Sequence, residues 1–160
     1  MKKIEIPTQL SVYATLKELP ADVQQLMQSA FTARDNAYAP YSNFQVGAAI
    51  LMDNGEIITG SNQENASYPS GLCAERTAIY YAGAKYPNTG IKTMAISAKA
   101  MGKAITKPVP PCGACRQAIA EYEVKQKQSI ALYFMGDSGE VFKSDSLENL
   151  LPLLFTQDYL

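Results

Sequence analysis

Apolar positions change period several times along the 160 residues, and each change marks an element. Lys2–Ile6 alternates weakly, as a short edge strand would, and Pro20 then punctuates the chain. From Ala21 to about Tyr38 the apolar set Val23, Leu26, Met27, Ala30 and Phe31 recurs at helical spacing. Ala39-Pro40-Tyr41-Ser42-Asn43 breaks that helix. Val46–Met52 is an apolar run of strand length. Asp53-Asn54-Gly55 follows, with an Asn-Gly pair suited to a tight turn, and Glu56–Gly60 completes a predicted antiparallel hairpin. Asn62–Gly71 is polar, contains Pro69 and reads as a loop. Leu72–Ala84 reads as a helix stopped by Pro87-Asn88, Thr93–Ala100 as a strand, Gly102–Pro111 as a loop and Cys112–Lys127 as a helix. Ser129–Met135 and Glu140–Lys143 are strands joined at Asp137-Ser138-Gly139, and so short a link makes that pair antiparallel. Asp145, with Glu148 three positions on, opens a last short helix that Pro152 ends or kinks.

The resulting order, α-ββ-α-β-α-ββ-α, predicts an α/β fold with three layers. One mixed five-stranded sheet, its last two strands antiparallel, would carry helices on both faces. The length fits one domain. A core-forming fraction of 47% against 18% charged residues supports a sizeable core and excludes compositional disorder. There is no internal repeat and no low-complexity linker. The N-terminus lacks the apolar run of a signal peptide, and no stretch reaches the roughly 18 apolar residues of a membrane span, so neither export nor membrane insertion is expected. Lys plus Arg is 14 and Asp plus Glu is 15, a net charge of −1 that gives no reason to expect a nucleic-acid partner. Histidine is absent, which removes every Ser-His or Cys-His nucleophile pair, every His-ligated metal and every His base.

The three cysteines, an odd number, cannot form a complete disulfide framework within one chain. A reducing cytoplasm is the expected compartment, and there spaced cysteines bind metal or do redox work. Cys112-Gly113-Ala114-Cys115 places two sulfurs three positions apart, on one helical face. Pro110-Pro111 sets Cys112 at a helix start, where backbone N–H groups and the helix dipole favour thiolate. Cys73 also lies near the start of its helix, so two helix N-termini converge on one cation in this reading. Zn²⁺ favours thiolates in tetrahedral array. A closed structural site needs a fourth protein ligand, and neither a fourth Cys nor any His exists. Three ligands leave a corner for water, whose pKa zinc lowers to about 7, so that hydroxide is at hand near neutral pH. The competing redox reading of C-x-x-C fits less well, because a long Pro-rich loop leads into the pair where a strand is usual.

Glu75 sits two positions after Cys73. Side chains of a first helical turn tilt towards the N-terminal end, so both reach the space in front of the helix. A carboxylate there takes a proton from water and passes it on. C-x-E followed by P-C-x-x-C, here Cys73-Ala74-Glu75 and Pro111-Cys112-Gly113-Ala114-Cys115, is the zinc deaminase signature in three-cysteine form.

On these motifs the chain resembles the small zinc-dependent cytidine deaminases of pyrimidine salvage. The resemblance extends through Tyr38-Ala39-Pro40-Tyr41-Ser42-Asn43-Phe44-Gln45-Val46-Gly47-Ala48-Ala49, Asn62-Gln63-Glu64-Asn65-Ala66-Ser67-Tyr68-Pro69 and Leu150-Leu151-Pro152-Leu153-Leu154-Phe155. It covers residues 21–160 as a single catalytic domain and leaves 1–20 as an N-terminal extension. It implies one Zn²⁺ per chain on Cys73, Cys112 and Cys115, with Glu75 as the proton shuttle. It implies Asn62 and Glu64 on the ribose hydroxyls, Phe44 against the pyrimidine, and the backbones of Ala66 and Ala74 on the base. Tyr68 and Phe155 match positions that complete neighbouring sites in homotetrameric members. Three thiolates and Zn²⁺ sum to −1, so a guanidinium near the sulfurs offsets charge; Arg76 takes that role by resemblance, with Arg116 a second candidate. A small nucleoside is the implied partner. Two rivals remain at this level. One is a different deaminase: the tRNA enzymes usually carry His at the first ligand and need a basic surface, which this chain lacks, whereas antibiotic nucleoside deaminases share the three-cysteine core, and a guanine deaminase is a further form of this rival. A zinc-stabilised RNA-binding module would use the ten tyrosines but leaves Glu75 without a task.

Overall fold

A computed structural model describes residues 1–160. In chain order the elements are β1 (Ser11–Tyr13), α1 (Ala21–Asp35), β2 (Phe44–Met52), β3 (Ile57–Ser61), α2 (Ala74–Lys85), β4 (Ile91–Ala100), α3 (Gly113–Gln126), β5 (Ala131–Met135) and β6 (Val141–Ser144). They form one sheet in the order β1-β6-β5-β4-β2-β3. Only β4 and β5 run parallel, as their α3 crossover requires; every other pair is antiparallel.

Strand alternation sorts the core into two layers. Ile50 and Met52 of β2, Met94 and Ile96 of β4, and Leu132 and Phe134 of β5 point to the face covered by α2 and α3. Ala49, Ala95, Tyr133 and Met135, one position out of phase, meet Leu26, Met27 and Ala30 of α1 on the other. Small side chains on the α1 face let that helix lie close. At Gly47 the approach is closest: a Cβ there would stand 2.0 Å from the Ala30 carbonyl oxygen.

The helices on both faces and the Asn54-Gly55 hairpin match expectation, with Gly55 at φ +85°. The strand count does not: the sheet has six strands rather than five. The sixth is Ser11–Tyr13, paired antiparallel to β6, whereas Lys2–Ile6, the segment expected to form an edge strand, has no strand partner. Three residues are too few to show a period of two. What fixes them is non-local: Tyr13 packs 6.4 Å from Tyr133 by ring centroids. The expected last helix at Asp145 is a single 3₁₀ turn, Leu147–Asn149, whose cap is the Ser146 hydroxyl accepting from Glu148 N–H. Pro152 stands too close for a further turn. β2 opens at Phe44, two residues before the apolar run, because Phe44 and Gln45 pair with Ala100 and Lys99 across the sheet.

Candidate active site

Both signature motifs sit at helix starts on the same face of the sheet. Cys73 is the N-cap of α2 and Cys112 the N-cap of α3, each with extended backbone. Cys115 follows within the first turn of α3 and is buried. The Cys73 and Cys112 sulfurs are 3.8 Å apart, those of Cys112 and Cys115 are 3.5 Å apart, and all three lie within 4.8 Å of one another. Zn–S bonds of about 2.3 Å at tetrahedral angles set sulfurs about 3.8 Å apart, so the trio fits that ion.

The donor chemistry agrees. Hydrogen bonding with Cys115 and with the Arg76 guanidinium holds the Cys73 thiol down at about 5. The same Cys73 sulfur, and then burial, push the Cys115 thiol far up. One thiolate is thus stabilised here and a second is opposed, and a dication at the centre is what lets all three sulfurs ionise together.

Glu75 is 5% exposed, in the first turn of α2. Burial is the main cause that pushes its carboxyl up to about 7, and the Cys73 sulfur adds to it. The carboxyl lines a cavity of about 420 Å³ together with Cys73, Cys112, Phe44, Asn62 and Glu64. Six residues named from the sequence are therefore brought to one concave surface.

The others are placed as follows. Asn62 accepts from Val46 N–H at 2.8 Å through Oδ1 and donates to the Phe44 carbonyl at 2.9 Å through Nδ2, so its amide also holds β2 in place. Glu64 accepts from Tyr41 and Ser42 N–H at 2.9 and 3.2 Å, and from the Ser42 hydroxyl. Tyr68 lines an adjoining cleft beside Tyr41, their rings 6.2 Å apart. Ala74 is buried at the first position of α2, and Ala66 lies exposed on the loop before it. Phe155 is 58% exposed, stacked on Tyr159 at 5.7 Å, and lines neither cleft of its own chain. Arg76 brings Nη2 to 3.7 Å from the Cys73 sulfur. Arg116 does not turn to the sulfurs: it donates to the Pro111 and Leu150 carbonyls, each at 2.8 Å, tying the C-terminal segment to the start of α3. Ser42 is a cavity residue that the motifs did not single out; a lone serine before a strand carries no signal in one sequence.

An α/β/α sheet whose two helix starts gather three cysteine sulfurs, with Cys73, Cys112 and a buried carboxyl facing one cavity, provides the donor set of a zinc site. Residues 20–130 match the model for the cytidine and deoxycytidylate deaminase zinc-binding region, and the chain belongs to that family. The cytidine deaminase of Halalkalibacterium halodurans is 44% identical over 137 residues, spanning 86% of this chain and 96% of the relative. That of Sporosarcina psychrophila is 39% identical over 140 residues, 86% and 93% of the two chains. Among solved structures, cytidine deaminase from Burkholderia pseudomallei aligns with a TM-score of 0.72 at 37% identity over 86% of this chain and 100% of that one. The fold and the cofactor implied by the sequence resemblance are thereby confirmed, and the donor set fits one Zn²⁺ per chain.

Proposed function

We propose that the chain hydrolyses cytidine and deoxycytidine to uridine and deoxyuridine, releasing ammonia, in pyrimidine salvage. One observation carries this reading: the buried Glu75 carboxyl shares a cavity with Cys73 and Cys112 and with the sugar-binding candidates Asn62 and Glu64. Cys73, Cys112 and Cys115 are the residues that would hold zinc. Bound there, the ion supplies Lewis acidity that lowers the pKa of water towards neutrality.

The chain's own groups do the rest. Phe44 packs against the pyrimidine ring, and the Ala66 and Ala74 backbones hydrogen-bond the base. Asn62 and Glu64 take the sugar hydroxyls, each with hydrogen-bonding capacity left over from its protein partners. Glu75 accepts a proton from the attacking water and delivers it to ring N3, which makes C4 electrophilic. The proton left on the oxygen now bonded to C4 is carried by the same carboxyl to the exocyclic amine, which departs as ammonia as that oxygen becomes the C4 carbonyl. Burial away from bulk solvent keeps that proton on the Glu75–substrate path. Arg76 offsets the negative charge of the three thiolates.

We read residues 21–160 as the catalytic domain and 1–20 as an addition that contributes β1 to its sheet. Homotetramers in which Tyr68 and Phe155 complete neighbouring sites are consistent with the exposure of both rings, 76% and 58%. No helix is long and apolar enough to cross a membrane, which agrees with a cytoplasmic enzyme. The test is ammonia release from cytidine and deoxycytidine, with sedimentation of the protein alongside. Release from both nucleosides is expected, and its absence from both contradicts the reading.

A further inference from the structure

The deaminase reading leaves open what orients the carboxylate that meets the sugar. Glu64 lies on the loop after β3 and is only partly buried, so its side chain needs external restraint to present one geometry. That restraint comes from two consecutive residues of another loop. Oε2 accepts from Tyr41 N–H at 2.9 Å and Ser42 N–H at 3.2 Å, and Oε1 accepts from the Ser42 hydroxyl. A carboxylate offers about four lone-pair sites. Three are filled, both on Oε2 and one on Oε1, so the remaining one lies on the oxygen that Ser42 holds.

The Ser42 hydroxyl is itself aligned. Its oxygen accepts from Phe44 N–H at 3.0 Å, which turns its single proton towards Glu64. Asn43, at φ +54°, makes this return possible, and Asn is one of the few side chains that adopt the left-handed region readily. A directed chain therefore runs from Phe44 N–H through Ser42 O–H to Glu64 Oε1, and such chains strengthen each member. Its two ends are the base-packing and sugar-binding candidates, and Ser42 lines both clefts.

We propose that Ser42 is a positioning residue for sugar recognition: its hydroxyl, aligned by Phe44 N–H, fixes Glu64 so that one lone pair of Oε1 is kept for a ribose hydroxyl. This rests on the nucleoside deaminase reading. Ser42 is exposed, so its truncation opens no core cavity. The hydrogen bonds around Glu64, that from Ser42 foremost, hold its carboxyl below the usual carboxylate range, which provides a second and substrate-free readout.

The experiment compares wild type, Ser42→Ala and Ser42→Thr on cytidine and on 2′,3′-dideoxycytidine, and follows the Glu64 carboxyl by NMR titration. Ser42→Ala is expected to raise KM for cytidine about tenfold, the loss of one charge-assisted bond, while kcat stays within about twofold. Ser42→Thr keeps the hydroxyl and restores KM. With the dideoxy substrate, which offers Glu64 no ribose hydroxyl from C2′ or C3′, the wild-type and Ser42→Ala values of KM converge. In Ser42→Ala the Glu64 titration moves up, towards the usual carboxylate range. An equal KM penalty on both substrates, a loss confined to kcat, or a Glu64 titration unmoved by the substitution overturns the inference. A wild type that deaminates neither nucleoside while Ser42 still governs the Glu64 titration contradicts the deaminase reading instead.

Discussion

Two arginines each stand directly after a signature motif, Arg76 after Cys73-Ala74-Glu75 and Arg116 after Cys112-Gly113-Ala114-Cys115, yet their surroundings give them different work. Arg76 reaches the Cys73 sulfur, while Arg116 spends its guanidinium on main-chain carbonyls of two segments. Arg76→Gln is therefore predicted to weaken zinc retention about 10- to 100-fold in a chelator competition, the usual cost of losing a group that orients a metal ligand. Arg116→Gln is predicted to lower Tm and leave the same competition nearly unchanged. A reversal of that pattern assigns the charge-offsetting role to Arg116. Cys115→Ser removes one of three donors, and bound zinc should drop well below one per chain; an undiminished metal content takes that sulfur out of the coordination shell. The cysteines and Glu75 were readable because their chemistry is rare and their spacing tight. The partners of Arg116 were not, because a carbonyl 34 residues away leaves no trace in local sequence.

At the level of elements, the layers were readable and the edges were not. Alternation in β4 and β5 and the helical spacing of Val23, Leu26, Met27 and Ala30 each bury a continuous face, so pattern and structure agree. β1 escaped notice because three residues paired to β6 depend on Tyr13 meeting Tyr133. Deleting residues 1–14 strips β1 and uncovers the edge of β6. Tm should fall while zinc content holds at one per chain, since no residue of that segment lines the cavity; loss of the metal with the segment ties it to the site. Gly47 sits where α1 crosses β2. In Gly47→Ala the new Cβ would meet the Ala30 carbonyl oxygen at 2.0 Å and Arg34 N at 2.4 Å, both backbone atoms that yield only if the helix moves. The expected cost is about 3 kcal/mol or more, read as a drop of about 6–12 °C in Tm. A Tm within a degree of wild type shows that α1 is not held where it lies.

Across the whole molecule, the sheet's role is to bring two distant helix starts together. Cys73 and Cys112 are 39 residues apart in sequence and 3.8 Å apart at their sulfurs. The crossover α3 between parallel β4 and β5, and α2 leading into β4, place both N-termini at one cavity. The cavity, by contrast, draws Phe44 from the very start of β2 and Ser42, Asn62 and Glu64 from two loops whose paths are set by hydrogen bonds rather than by periodicity, and sequence pattern is silent on such paths. The most direct measurement is cytidine turnover by Glu75→Gln beside its zinc content. That change keeps the shape of the side chain and removes its capacity to shuttle protons. The protein should hold zinc at close to one per chain while turnover falls by about 10² to 10⁴-fold or more. Normal turnover by a zinc-loaded Glu75→Gln protein would contradict the account.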